Sequence, residues 1–298
     1  MNDTTKAVLF ALTTFLCFSI GDAITKLVLE KYHPIQVQMW LVLWAVIWLI
    51  PAAPLLGGYK TIIKMPRPLL SIARGIVQAA QMLCIVYALS MVTLTTFYSV
   101  IFTAPLLSTI AAMVLFKEPL TKTKAGCLAV GFLGVLIIAQ PGTDINPTGV
   151  ILVLISAVFF SFLSLSAKFF DTSSPRLPLV FYPFLTTFLA FFVLSDFEIE
   201  ILAWQELALM GFAGFLSVIG LTSMTYAFKL ADAGVVAPYH YSQLIWGALL
   251  GYFLFGDIPG PAVLAGAALI IGAGLYLFAA ENGKLDKIKS YLMRERVR

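Results

Sequence analysis

The chain has 298 residues, of which 60% are hydrophobic and only 11% are charged. Soluble domains carry roughly 25% charged residues, so this composition excludes an ordinary soluble protein and indicates an integral membrane protein. The formal net charge of +4 is explained by membrane topology and needs no nucleic-acid partner, because the basic residues gather in loops and at the C-terminus.

Apolar runs follow one another along the whole chain, separated by short polar breaks. Runs of about 17–25 residues have the length of helices that cross a bilayer, whereas barrel strands are shorter and alternate in polarity. The sequence therefore predicts an all-α integral membrane protein with about ten transmembrane helices. The predicted spans are 7–29, 34–56, 69–89, 94–116, 124–139, 148–169, 177–194, 206–230, 234–255 and 261–280.

The distribution of charge between loops predicts the orientation of these spans. Cytoplasmic loops of membrane proteins are enriched in Lys and Arg. If the N-terminus is cytoplasmic, most basic loop residues fall on that side, while the loop at 195–206 carries only acidic charges. An even number of spans then places both termini in the cytoplasm.

The two halves of the chain repeat each other. A shift of 139 residues aligns Tyr87 with Tyr226 and Glu118 with Asp257. Each half contains five predicted spans, and two similar halves with an odd number of spans enter the membrane from opposite sides. The sequence therefore predicts a 5+5 inverted repeat, an arrangement typical of transporters. The predicted units are a first repeat at 1–142, a second repeat at 148–280 and a basic cytoplasmic tail at 281–298.

Several duplicated motifs resemble a known family. They are Lys26 and Lys168 in the first helix of each half, Arg74-Gly75 at the start of the third helix, and the endings Glu118-Pro119 and Asp257-Ile258-Pro259. Taken in order, these motifs resemble the drug/metabolite transporter superfamily, in its ten-helix EamA branch. The stretches APYHYSQL (237–244) and GYFLFGDIP (251–259) are also similar to S-adenosylmethionine uptake carriers within that branch. In such a carrier a more strongly charged pair is expected where His240 and Gln243 stand.

The ninth span carries the preferred candidates for contact with a solute. Tyr239, Gln243 and Trp246 recur at spacings of four and three residues, which places them on one face of a regular helix. His240 lies beside this face. A histidine there can act as a protonation switch near neutral pH, and a purely structural role is an equal alternative.

Polar residues on three other spans are predicted to line the same pathway. Amide and hydroxyl groups need partners inside a bilayer, and prolines within spans break helices in the way that often flanks transporter sites. Pro105 and Pro238 are such prolines. The remaining candidates are Gln78 and Gln81 on the third span, Tyr98 and Thr103 on the fourth, and Thr222 and Tyr226 on the eighth.

Trp40, Trp44 and Trp48 form a stripe on the second span. Such a stripe is more often a packing or lipid-facing surface. The alternative is an aromatic wall of the binding site, which suits flat or cationic solutes, and Trp44 is its candidate residue.

Asp22 and Lys26 lie four residues apart on the first span and therefore share a helix face. Two interpretations stand side by side. The two side chains form a gate or coupling pair that neutralises its own charge, or Lys26 extends to the interface while Asp22 is hydrogen-bonded within the bundle.

Glycines recur in the fifth and tenth spans, where they permit close helix contact. They indicate packing within the chain or a homodimer through these helices. The three cysteines lie in apolar runs, and no metal-ligand cluster or cofactor motif is present, so no metal and no cofactor are predicted.

The sequence predicts a transporter and not an enzyme. Gly21-Asp22 and Gly256-Asp257 raise the alternative of an intramembrane aspartyl protease, but neither carboxylate lies mid-span as such a dyad requires. We therefore expect a secondary carrier of the bacterial inner membrane that moves a small polar or amphipathic metabolite by alternating access. S-adenosylmethionine or a related metabolite is the first candidate, and export of amino acids or carriage of a vitamin such as riboflavin is the alternative.

Overall fold

A computed structural model describes residues 3–62, 67–104, 106–107, 110–111, 114, 121–139, 145–166, 176–230 and 237–281. Within these residues all regular structure is helical, which confirms the predicted all-α class. The α-helices are α1 (Asp3–Leu29), α2 (Pro34–Ala52), α3 (Pro68–Met91), α4 (Leu94–Ile101), α5 (Lys122–Ile138), α6 (Pro147–Ser166), α7 (Arg176–Leu194), α8 (Trp204–Leu230), α9 (Ser242–Phe255) and α10 (Pro261–Glu281).

Each predicted span overlaps one of these ten helices. By length and apolar composition alone, four segments of the described chain are able to cross a membrane: Thr5–Leu29, Pro34–Leu56, Pro68–Met91 and Trp204–Met224. Local hydrogen bonds mark several helix starts. The Thr93 hydroxyl accepts from the Thr96 N–H at 3.2 Å before α4, and Thr121 does the same for Lys124 before α5, because a hydroxyl satisfies one of the free amides at a helix N-terminus.

The fourth and ninth predicted spans are interrupted near their polar residues, whereas α2 and α7 stay helical through Pro51 and Pro183. The fourth was predicted as one run over 94–116, but α4 ends at Ile101 and residues 102–103 form a turn. Proline at position 105 has no N–H for the carbonyl four residues earlier. In the ninth, Ala237–Tyr241 forms a 3₁₀ turn before α9 begins at Ser242. Pro105, Glu118, Lys168, the side chain of Pro238 and the tail beyond 281 lie outside the described residues.

The helices of the two halves pack against each other throughout. Helix α1 packs along α8, and α3 packs along α6. Helix α8 also contacts α2, while α3 also contacts α7, and the pairs α4–α9 and α5–α10 join equivalent helices of the two halves. The main apolar core lies among α1, α2, α7 and α8, so the first half does not fold around a core of its own.

Helices α5 and α10 approach closely where glycine meets glycine. A Cβ atom on Gly134 would lie 2.7 Å from the Gly266 carbonyl oxygen and 2.8 Å from Ile270. By contrast, nothing lies within 4 Å of the Cβ positions of Gly126 and Gly272. Packing within the chain thus explains Gly134 and Gly266, while the predicted homodimer stays a prediction.

This contrast gives a matched test on the α5–α10 contact. Gly134→Ala should destabilise the protein by about 1–3 kcal/mol, because a methyl group forces the two backbones apart. Gly272→Ala should be neutral or slightly stabilising, since alanine favours the helix and has room there. Chemical denaturation in mixed micelles measures both variants, and equal midpoints would contradict the close contact.

Candidate functional site

His240 lies among three phenyl rings that come from both halves of the chain. The Phe15 ring of α1 stacks on the imidazole at a centroid distance of 4.7 Å. Phe102, just after α4, meets it edge-on at 5.6 Å, and Phe160 of α6 lies at 6.0 Å. The side chains of α1, α4 and α6 therefore converge on the 3₁₀ turn before α9. We call His240, Phe15, Phe102 and Phe160 the aromatic box.

Gln243 joins this box, and Tyr239 packs beside one of its rings. Gln243 is only 5% exposed, and its side chain lies near the His240 imidazole. Tyr239 packs against the apolar cluster of Ala11, Phe15 and Ala227. The prediction that Tyr239 and Gln243 share a face assumed a regular α-helix, and the 3₁₀ turn at 237–241 changes the spacing between them.

The Asp22 carboxylate is hydrogen-bonded to Tyr98, a predicted site residue of the fourth span. The Tyr98 hydroxyl of α4 donates to Asp22 Oδ2 at 2.7 Å. Tyr98 is 1% exposed, and its ring packs directly against Gly247 of α9, where a Cβ atom would collide with it. Helices α1, α4 and α9 thus meet at this carboxylate.

Lys26 is bound to the end of a different helix and not to Asp22. Its ammonium group donates to the carbonyl oxygens of Leu89 at 2.8 Å and Val92 at 2.7 Å, at the C-terminus of α3. It also lies 5.5 Å from the centre of the Phe255 ring. A cation is favourable here because the last carbonyls of a helix lack partners and carry partial negative charge. Of the two interpretations of the pair, the structure shows Asp22 hydrogen-bonded within the bundle.

A second cation caps a helix end in the same way. The Arg74 guanidinium of α3 donates to the Leu163 carbonyl oxygen at 2.8 Å and contacts the Ser166 hydroxyl, at the C-terminus of α6. Lys26 therefore ties α1 to the last turn of α3, and Arg74 ties the start of α3 to the last turn of α6. Lys26 and Arg74, the two basic residues of the family motifs in the first repeat, therefore have structural roles.

Asp257 lies beyond α9, close to the Lys26 end of the bundle. Burial raises the pKa of the Asp257 carboxyl, while the positive charge of Lys26 and the Leu94 N–H oppose that rise. Asp257 Oδ2 and the hydroxyl of Thr95 are buried and have no hydrogen-bond partner within the described part of the chain. One oxygen of this carboxylate therefore lacks a hydrogen-bond partner among the described residues.

The other predicted pathway residues fall into two groups. Gln78 and Gln81 on α3 and Thr222 on α8 are half-buried and form no hydrogen bond with any described residue. The indole N–H of Trp246 is likewise buried without an acceptor among the described residues. Tyr226 stacks on Phe10 at 5.7 Å and donates to the Leu55 carbonyl oxygen at 3.4 Å. The role of the first group in solute binding stays a prediction.

Thr103 and Trp44 are placed less favourably for solute contact. The Thr103 hydroxyl donates to the Val100 carbonyl oxygen of its own chain turn at 2.9 Å, as threonines in helices often do. Trp44 packs on α8, where a Cβ atom added to Gly211 would lie 3.5 Å from its ring, and Trp48 donates to the Gly211 carbonyl oxygen at 3.0 Å. The tryptophan stripe is therefore a packing surface between α2 and α8.

Hydrogen bonds and an ion pair join the start of α2 to the loop before α8, and an acidic cavity lies beside them. Gln36 exchanges hydrogen bonds with the backbone of Glu198 and Glu200, and the Trp40 indole donates to Glu200 as well. Lys31 pairs with Glu206 at 2.6 Å, and this hydrogen bond and charge raise the Lys31 pKa. A cavity of about 400 Å³ lies beside these contacts, lined by His33, Gln36, Asp196, Glu198 and Glu200 among others.

Sequence reasoning missed the phenyl rings of the aromatic box. In an apolar span nothing distinguishes Phe15, Phe102 or Phe160 from a lipid-facing phenylalanine. The spacing did contain one usable signal, because Phe15, Ser19 and Asp22 lie four and three residues apart and thus share one face of α1. That face points to both His240 and Tyr98.

Comparison with known proteins gives consistent matches over nearly the whole chain. The EamA-like transporter family matches residues 5–140 and again residues 147–279. An S-adenosylmethionine uptake transporter of Rickettsia prowazekii (strain Madrid E) is 29% identical over 296 residues, covering 96% of this chain and 98% of the relative. A riboflavin transporter of Rhizobium johnstonii is 24% identical, covering 94% and 96%. A solved crystal structure aligns with a TM-score of 0.64 at 18% identity, covering 91% and 96%.

Proposed function

The chain belongs to the EamA-like transporter family, and from this premise we propose that it is a secondary carrier of S-adenosylmethionine or a closely related organic cation. It is a multi-pass membrane transporter and not an enzyme. We place it in the bacterial inner membrane, in keeping with its bacterial relatives. The solute moves by alternating access, driven by a gradient or by exchange.

The observation that carries this proposal is the position of the aromatic box. Its rings come from α1, α4 and α6, and they surround a histidine that precedes α9. Both halves of the chain thus contribute to one polar and aromatic centre. Transporters built from repeats hold their solutes at the interface of the halves. Stacked aromatic rings suit a flat base such as adenine.

The packing of the helices supports a two-fold relation between the halves, and the odd number of spans in each half makes that repeat inverted. If the halves exchange under a two-fold axis, α1 corresponds to α6 and α3 to α8. The contact of α1 with α8 then corresponds to the contact of α6 with α3, and both are present. The contacts α2–α8 and α7–α3 correspond in the same way. We infer that residues 1–142 and 148–280 form the two repeats and rock against each other around the aromatic box.

The acidic cavity beside α2 favours a cationic solute over a neutral one. Asp196, Glu198 and Glu200 lie on its wall, and a cluster of one sign of charge raises the local concentration of the opposite ion. Riboflavin is neutral, so this cavity gives it no such advantage. The flat aromatic box suits both molecules, and the charge therefore decides the preference.

Thermal-shift measurements on purified protein test the proposal. A ligand that binds only the folded state stabilises it by about 2.7 kcal/mol when its concentration is 100 times Kd. We expect S-adenosylmethionine to raise the unfolding temperature, and riboflavin or a mixture of amino acids to have little effect. A shift with riboflavin and none with S-adenosylmethionine would replace the proposed substrate with a vitamin.

A further inference from the structure

The Asp22 carboxylate has no cationic partner in the described part of the chain. Its one hydrogen bond comes from Tyr98, and the nearest basic residue along α1, Lys26, is engaged by two carbonyl oxygens of α3. The ion pairs within the described residues involve other side chains. A carboxylate within a membrane-spanning helix is costly unless it is paired. No described side chain supplies the positive charge that would pair with it.

The Ser19 hydroxyl is a second buried oxygen close to the Asp22–Tyr98 hydrogen bond. Ser19 is fully buried beside Tyr98, three residues before Asp22. Its hydroxyl forms no hydrogen bond of regular geometry with any described residue. Buried hydroxyl groups are normally hydrogen-bonded, so this one has an acceptor oxygen available to a ligand. The side chains of Ser19, Asp22 and Tyr98 together present four oxygen atoms from α1 and α4.

The distance from this oxygen cluster to the aromatic box fits a single elongated solute. Phe15 of the box and Asp22 lie seven residues apart on one face of α1, which is about 10 Å along the helix axis. On the other side, Tyr98 of α4 contacts Asp22, and Phe102 just after α4 contacts His240. A solute with a flat ring at one end and a charge at the other can reach both levels at once.

We propose that Asp22 binds the positive charge of the solute, with Tyr98 holding the carboxylate in position and Ser19 supplying a further oxygen. The ligand class is an organic monocation with an aromatic group about 10 Å from its charge. This inference rests on the proposed function and deepens it, because it assigns the selection for charge to α1 and α4 and leaves ring recognition to the aromatic box.

Two ligands that differ by one charge test this assignment. S-adenosylmethionine carries a sulfonium and has a net charge of +1, whereas S-adenosylhomocysteine lacks the methyl group on sulfur and with it that charge. Binding of both to the full-length protein in detergent is measured for the natural sequence and for Asp22→Asn. The asparagine side chain keeps an acceptor for the Tyr98 hydroxyl, so the fold is preserved. Glu30→Gln, which removes an exposed acid just beyond α1, is the matched control.

The natural protein is expected to prefer the charged ligand by about 30-fold or more, the scale of a buried charge pair. In Asp22→Asn that preference should fall to within about twofold, while binding of S-adenosylhomocysteine stays unchanged and Glu30→Gln keeps the full preference. Retention of the preference in Asp22→Asn overturns the inference and leaves the carrier function standing. Equal binding of both ligands to the natural protein also overturns the inference and leaves the carrier function standing. Binding of neither removes the proposed substrate, and this inference with it.

Discussion

Replacing Lys26 with methionine is expected to lower the free energy of unfolding by about 2–4 kcal/mol, since two hydrogen bonds from a charged group are lost and two helix-end carbonyls lose their donor. Leu89 and Val92 supply those carbonyl oxygens. Methionine keeps the length of the side chain, so the loss reports on the ammonium group. Chemical denaturation in mixed micelles measures it.

Lys6→Met is the matched control on the same helix. Lys6 pairs with Asp3 at 3.3 Å, and the two side chains are 48% and 69% exposed. Exposed pairs of this kind contribute about 0–1 kcal/mol. The two methionine variants should therefore differ clearly in their denaturation midpoints. If Lys26→Met unfolds at the same midpoint as Lys6→Met, the Lys26 contact with the end of α3 does not stabilise the bundle.

The second large effect is expected from Phe15→Leu, which removes the stacked ring of the aromatic box and retains most of the apolar volume. The ring lies 4.7 Å from His240. Stacking between rings contributes about 0.5–1.5 kcal/mol beyond burial, so the affinity for S-adenosylmethionine should fall by about tenfold at most. The change in stability should stay below about 1.5 kcal/mol, because leucine repacks the site.

Phe10→Leu separates the box from a general effect of aromatic residues on α1. Phe10 stacks on Tyr226 at 5.7 Å and is not part of the box. Its replacement should leave the affinity for S-adenosylmethionine unchanged in equilibrium binding. A loss of affinity that is as large in Phe10→Leu as in Phe15→Leu would argue against a binding role for the aromatic box.

The sequence predicts the helices well because bilayer-spanning apolar runs are long and are separated by short polar segments. The ends of α1, α2, α3, α7 and α10 lie within a few residues of the predicted spans. The fourth and ninth spans differ because proline and polar residues break the regular helix there. Those are the segments that carry Tyr98 and His240, so the local irregularity coincides with the candidate site.

The polar residues of the site were visible in the sequence, but their partners were not. Asp22 and Lys26 are neighbours on one helix face, and the simplest prediction pairs them. In the fold each finds a better partner on another helix, because Tyr98 offers a donor and the end of α3 offers bare carbonyls. Tertiary contacts of this kind depend on how α1, α3 and α4 meet. Periodicity along a single helix contains no information about that meeting.

The aromatic box shows the same limit from the apolar side. Twenty-four phenylalanines occur in the chain. In a membrane protein the sequence around an apolar ring does not indicate whether that ring has a function. Only the convergence of α1, α4 and α6 on His240 distinguishes three of them. The sequence alone predicts the two repeats, whereas only the three-dimensional structure identifies the residues that face each other across their interface.

Exchange of S-adenosylmethionine across a lipid bilayer tests the central claim most directly. Purified protein is reconstituted into vesicles preloaded with unlabelled S-adenosylmethionine, and uptake of the labelled compound from outside is followed without any nucleotide triphosphate. We predict rapid accumulation of label in these vesicles, and none in protein-free vesicles or in vesicles preloaded with buffer. Uptake no faster than in protein-free vesicles, together with rapid exchange of riboflavin under the same conditions, would contradict the account.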